Sequence, residues 1–275
     1  MRTKINITRL IAEEMAAGRL SIPTLPEVAL TMSNIMRNDP NAVHVAQAIA
    51  KDPATTTRLL AAANSAGIRG AGGVADNLIV AIPRLGFRLT RVLVNRIAME
   101  QMFCARSAVL NKIIKRIWSN SLEISALSHV LAKNFTKLNG ETAMMVGLVH
   151  KVGALPIIRL LDFRQMSESD VPQIETTIIK HQAEVGQFVL RKWQFPKELI
   201  TIPAIAGDFS RTHDGPADYG DVLNVAIAQL NHENATLDSS QIPAFSKLGI
   251  ETATQIWGTP NIREAYMLDR EMLIG

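Results

Sequence analysis

The sequence predicts an all-α protein, a multi-helix bundle preceded by an N-terminal helical lobe. Three observations predict it. Apolar residues recur at helical spacing in segment after segment. Residues that start and stop helices bracket those segments. No stretch alternates apolar and polar residues as a half-buried strand would.

The elements follow in chain order. Thr24-Leu25-Pro26-Glu27 reads as a capping box with proline in the first turn; its helix runs toward Asn38 and stops at Asp39-Pro40. Asp52-Pro53 repeats the logic, with Asp as N-cap and Pro at the first helical position. That helix carries Leu59, Leu60 and Ala63 and ends near Gly67. Gly67 to Gly73 holds four glycines in seven residues. It matches neither the P-loop nor the dinucleotide fingerprint and follows no strand, so it reads as a flexible inter-helix loop. Leu85–Phe103 reads as one amphipathic helix, with Leu89, Leu93 and Ile97 on one face and Arg84, Arg88, Arg91 and Asn95 on the other. Residues 109–135 form a long helix with Ile113, Ile117, Leu127, Val130, Leu131 and Phe135 inward. Asn139-Gly140 breaks the chain before a central apolar helix. Further helices are expected at 172–192, 197–206, 219–232 and 261–273, with a loop at 234–247. Three units result: an N-terminal helical lobe at 1–107, a helical core at 108–233 and a C-terminal helical appendage at 234–275.

Composition narrows the class. With 275 residues, 47% of them hydrophobic, the chain can bury a substantial core. Its single cysteine, Cys104, excludes a disulfide within the monomer and points to a reducing, cytoplasmic setting. Cys104 follows Met102-Phe103 at the end of a helical pattern and reads as a core filler. Met1–Leu10 carries charge with no apolar run after it, so no secretory signal is visible. The longest apolar stretch, Ala143–Leu161, contains His150, Lys151, Pro156 and Arg159, which argues for a core helix and against a membrane span. Net charge is +4, unevenly placed: Arg84 to Arg116 holds eight basic residues and one acid, a local +7. Three tryptophans and two tyrosines, scattered, are too few for a base-stacking surface. No Gly-x-Ser-x-Gly elbow occurs.

One imidazole and one ammonium, His150 and Lys151, stand in the middle of the central apolar segment. A buried charge needs a partner, so the pair marks a functional site or its relic. The pattern Gly147-Leu148-Val149-His150-Lys151-Val152-Gly153 resembles the HD-type metal-dependent phosphohydrolases, built around a His-Asp doublet. Other stretches are similar to one branch of that superfamily, the HDOD family. They are Ile22–Val28, Lys51–Thr55, Arg58–Ala66, Ala81–Gly86, and Val185–Pro196 with its Trp193-Gln194-Phe195-Pro196. The resemblance spans roughly residues 20–230. It implies an HD-domain-like helical fold and a bacterial signalling output domain that is degenerate as a hydrolase.

The resemblance also implies a ligand set that can be checked by position. The first His would fall at Asn120; the doublet's His is retained as His150; its Asp is replaced by Lys151; a later Asp aligns loosely with Ala226-Ile227. The degenerate site is therefore Asn120, His150 and Lys151, with no catalytic residue, no metal and no cofactor expected. Lys151 is expected to take the metal's place electrostatically, held by a carboxylate or by backbone carbonyls. His44, His129, His213 and His232 lack ligand spacing, and His181 reads as structural. Arg84, Arg88 and Arg91 form a candidate face for an acidic or phosphate-bearing partner. The reading is a non-catalytic signalling or scaffold module with a protein partner, no membrane contact and no nucleic acid. Two rivals stay open. One is a metal-dependent phosphohydrolase; the other is a nucleic-acid binder using the Arg84–Arg116 segment.

Overall fold

The computed structural model describes residues 7–35, 41–70, 73–163, 166–231 and 238–274, and among them every regular element is helical. The N-terminal helices are α1 (Ile7–Ala16), α2 (Glu27–Ile35), α3 (Ala42–Ile49), α4 (Pro53–Ala63), α5 (Ala66–Arg69), α6 (Leu78–Leu85) and α7 (Phe87–Glu100). The middle of the chain forms α8 (Ala108–Phe135), α9 (Gly140–Val149), α10 (Ala154–Leu161) and α11 (Val171–Lys192). Then follow α12 (Lys197–Ile200), α13 (Ile202–Ile205), α14 (Tyr219–Asn231), α15 (Pro243–Lys247), α16 (Ala253–Gly258) and α17 (Ile262–Ile274).

Local chemistry accounts for most of the starts. Asp52 accepts from the amides of Ala54 and Thr55 at the head of α4, with Pro53 in the first turn. Asn77, Ser107 and Asn139 cap α6, α8 and α9 in the same way. Helix α8 has 28 residues, about 42 Å at 1.5 Å per residue, and α9, α14 and α17 pack against it. One continuous core runs from Ile11 to Leu273, so the lobes read from the sequence meet across shared packing.

Four expectations need correction. The helix read at 85–103 is interrupted: Gly86, at φ 75°, ends α6 and starts α7. The central apolar helix is also two helices, because α9 ends at Val149 and the chain turns through His150–Gly153 before α10. The stretch read as loop at 234–247 contains α15; residues 232–237, including His232, lie outside the described residues, as do 36–40 at the expected end of α2. Cys104 is exposed, because α7 has already ended at Glu100 and the cysteine sits in the turn beyond it. Gly140–Leu161 is long and apolar enough to cross a membrane by composition, yet it is mostly buried within the fold.

Two glycines of the His150 segment let helices approach. A Cβ on Gly147 would lie 2.3 Å from Ser125 Cα on α8, and one on Gly153 would lie 2.1 Å from the Gln182 carbonyl oxygen on α11. Ser125 Oγ donates to Met144 O at 2.6 Å across the first of these contacts. The turn carrying His150 and Lys151 is thereby pinned between α8 and α11.

Candidate functional site

Between α8 and α11 lies a cavity of about 420 Å³. Helix α8 lines it with Ile113, Arg116, Ile117 and Asn120, and α11 with Glu175, Ile178, Ile179 and Gln182. Both sets follow the i, i+3, i+4, i+7 stripe of one helix face. Lys151 completes the lining from the α9–α10 turn. Arg116 and Glu175 form an ion pair from one helix to the other.

Lys151 is half-buried, and among the described residues its ammonium makes neither a hydrogen bond nor an ion pair. The carboxylate or carbonyl cage expected for it is absent. Glu123 on α8 accepts from Arg270 Nε at 2.7 Å and from the Tyr266 hydroxyl. The physical reason is the turn after α9, which sets Lys151 in the cavity lining and not in the packed core. Burial first, and then the nearby Arg116 charge, lower the Lys151 pKa.

His150 is fully buried and is not part of the cavity lining. Its Nδ1 donates to Gly147 O at 2.7 Å, while Nε2 has no partner. Burial, and then the Lys151 charge, push its pKa down to about 3, so the ring is neutral. Of the three residues singled out from the sequence, the cavity unites Asn120 and Lys151. On α11, Oε1 of the lining residue Gln182 and Nε2 of its neighbour His181 are buried without partners.

The arginine face is divided. Arg84 donates to Gly73 O at 2.8 Å and lies within 3.4 Å of Asn64 Oδ1, so it braces the loop after α5. Arg88 is exposed, and Arg91 is half-buried beside Trp193, Phe195 and Pro196. Arg91 is lowered by burial and then by Arg88, with Glu198 opposing. Asn95, read as part of the same polar face, is buried and donates to Arg91 O.

A second constellation escaped the sequence reading. His213, Asp218 and Asp221 bring ligand-type atoms together. Arg211 already fills that place: it reaches Asp218 Oδ2 at 2.5 Å and Asp221 Oδ1 at 3.2 Å, while His213 Nε2 is 2.8 Å from Asp221 Oδ2. The cluster ties the irregular 206–218 segment to α14. On α14, Ala226 and Ile227 are core residues and the buried carboxylate is Asp221. Spacing could not reveal the cluster, since Arg211 and His213 sit outside any helix.

The motif stretches mostly hold the fold. Asn64 clamps Ala75, accepting from its amide and donating to its carbonyl, both at 2.8 Å. Trp193 Nε1 donates to Pro23 O at 2.9 Å, tying the end of α11 to the segment before α2.

A family model described as HDOD domain matches residues 22–207. Solved structures share the whole fold. One is a protein of Shewanella amazonensis SB2B named "Putative metal-dependent phosphohydrolase", at 24% identity and TM-score 0.81, covering 97% of this chain and 98% of that one. Another is an HDOD domain protein with unknown function from Geobacter sulfurreducens, at 19% identity and TM-score 0.67, covering 97% and 98%. A third, from Marinobacter aquaeolei VT8, is named "Putative signal transduction protein"; it is 18% identical with TM-score 0.64, over 94% of this chain and 61% of that one. Comparison with curated proteins gives no match.

Proposed function

Because the chain belongs to the HDOD family, we propose that it is a non-catalytic signal-transduction or scaffold module of the bacterial cytoplasm, with a degenerate HD-type site. One observation carries this reading: Lys151, where the resemblance puts the metal-binding Asp, lines the cavity, and its ammonium has no partner among the described residues. An ammonium roughly 4 Å from a divalent ion would oppose its binding by several kcal/mol at an effective dielectric of about 20. The resemblance's remaining ligands do not compensate. Asn120 is a neutral amide, Ala226 is apolar, and His150 is sequestered behind the cavity lining. A hard cation needs several oxygen or nitrogen ligands.

The signalling role follows from the family and is in keeping with the name of the Marinobacter relative. The partner face reduces to Arg88 and Arg91, which suits an acidic surface. Nucleic-acid binding keeps only part of its basis in charge, because three of the eight cations are ion-paired. Arg96 pairs with Glu100 at 3.3 Å, Lys112 with Glu168 at 3.1 Å, and Arg116 with Glu175.

The test is elemental analysis of purified protein, joined to turnover assays on phosphomonoesters, nucleotides and cyclic dinucleotides with added manganese, iron, nickel or magnesium. The expected result is no stoichiometric metal and no turnover, and Lys151→Asp alone is not expected to restore activity. Stoichiometric metal with turnover that is lost in His150→Ala would overturn the reading.

A further inference from the structure

Lys151, Arg116 and the side-chain amides of Asn120 and Gln182 converge on one cavity of about 420 Å³. We propose that this cavity is a metal-free binding site for a small phosphorylated molecule, with Lys151 as its charge centre. The inference rests on the non-catalytic reading and deepens it.

Three observations support it. The first is charge. Two cations, Lys151 and Arg116, and one carboxylate, Glu175, line the cavity, which sums to +1. Glu175 is engaged by Arg116, whereas Lys151 has no counter-charge among the described residues. A compact ammonium with three donors is well suited to a phosphoryl group. Burial and the like charge of Arg116 both work against the ammonium, and a bound anion relieves both.

The second is unmet hydrogen bonding. Gln182 Oε1 is buried with no partner. An amide in that condition is paired once a ligand sits beside it, and either end of the amide can be presented. Asn120 adds another amide from the opposite helix, so polar side chains reach a ligand from both walls.

The third is shape. A cavity of this size falls in the range of small-molecule sites, lined by apolar groups with a few convergent polar ones. A phosphate group alone fills a fraction of it, so the ligand carries an organic body. Ile117, Ile178 and Ile179 provide the surface for that body. Ile179 is 75% exposed, a large aliphatic side chain left at the rim. An organic group lying on it removes that surface from water.

The experiment is isothermal titration of the full chain, stripped of metal with a chelator, against adenosine 5′-monophosphate, guanosine 5′-monophosphate, ribose 5-phosphate and glucose 6-phosphate. Adenosine and succinate are the controls. At least one phosphorylated probe is expected to bind about ten-fold or more tightly than adenosine and succinate. Lys151→Met is expected to weaken it by about ten-fold or more. Ile117→Glu, which adds a carboxylate to the wall and leaves Lys151 in place, is expected to do the same and decides the matter if Lys151→Met does not fold. Absence of binding by all four phosphorylated probes at about 1 mM overturns the proposal, as does equal binding of succinate or unchanged affinity in the variants. No binding together with no turnover sinks this site alone and leaves the non-catalytic reading standing. Metal-dependent release of phosphate from a probe, lost in His150→Ala, overturns both.

Discussion

At the residue scale, three titratable groups make opposite claims on stability. Lys151 is half-buried and unpartnered, which raises the free energy of the native state. Lys151→Met is therefore expected to stabilise the ligand-free protein by about 1 kcal/mol, read as a higher urea midpoint at unchanged slope. A lower midpoint would show that the ammonium has a partner after all. His150 is held neutral, with its pKa lowered to about 3. Its unfolded value is near 6.5, so its contribution is whole above that pH and is lost as pH falls toward 3, on the order of 5 kcal/mol over the window. His213 runs the other way. Its bond to Asp221, first among the causes, raises its pKa above the ordinary value. Its stabilisation is present in full below about 6.5 and is lost as pH rises through the folded value. Urea midpoints measured across pH should show a shallower acid fall in His150→Gln. His213→Gln should lose part of the stability seen at mildly acidic pH.

At the scale of elements, the His150 segment is built for close packing as much as for chemistry. A methyl on Gly147 meets the backbone of Ser125, and one on Gly153 meets the backbone of Gln182 and Gly186. Backbone cannot rotate aside as a side chain can. Gly147→Ala and Gly153→Ala are each expected to destabilise by about 1–3 kcal/mol, read by chemical denaturation. A neutral result at Gly153 would mean that α10 and α11 separate without penalty. The starts at Asp52 and Asn139 were legible because such signals are local, each residue satisfying amides within three residues; Asn77 does the same for α6, which the spacing had not singled out. The breaks at Gly86 and at His150–Gly153 were not legible, since periodicity runs apolar through both and only packing shows the turn.

At the scale of the whole molecule, the basic segment at 84–116 is partly neutralised from elsewhere in the chain, two glutamates lowering its +7 to +5. Glu168 and Glu175 reach Lys112 and Arg116 from more than 50 residues away. On α7 what remains outward is Arg88, with Arg91 half-covered beside Glu198, while Arg106 and Lys115 are exposed farther along the segment. The double change Arg88→Glu with Arg91→Gln is expected to abolish capture of an acidic partner in a pull-down while leaving the thermal melt nearly unchanged. The glutamine avoids setting a new carboxylate against Glu198. Unaltered capture would remove this face from the partner surface.

The sequence by itself determined the all-α class and the family, because periodicity, caps and motif residues are written locally in the chain; ligand loss at Asn120 and Lys151 is what the resemblance implies. The sequence also placed Lys151 in an apolar setting. The tertiary structure decided what surrounds that residue. The turn after Val149 brings Lys151 to a cavity lined by stripes of α8 and α11, and it leaves His150 behind in the core. Arg84 and Asn64 likewise changed meaning once Gly73 and Ala75 came within hydrogen-bond reach. A side chain's partners are set by which helices pack together, and that pairing of distant segments is not encoded in local spacing.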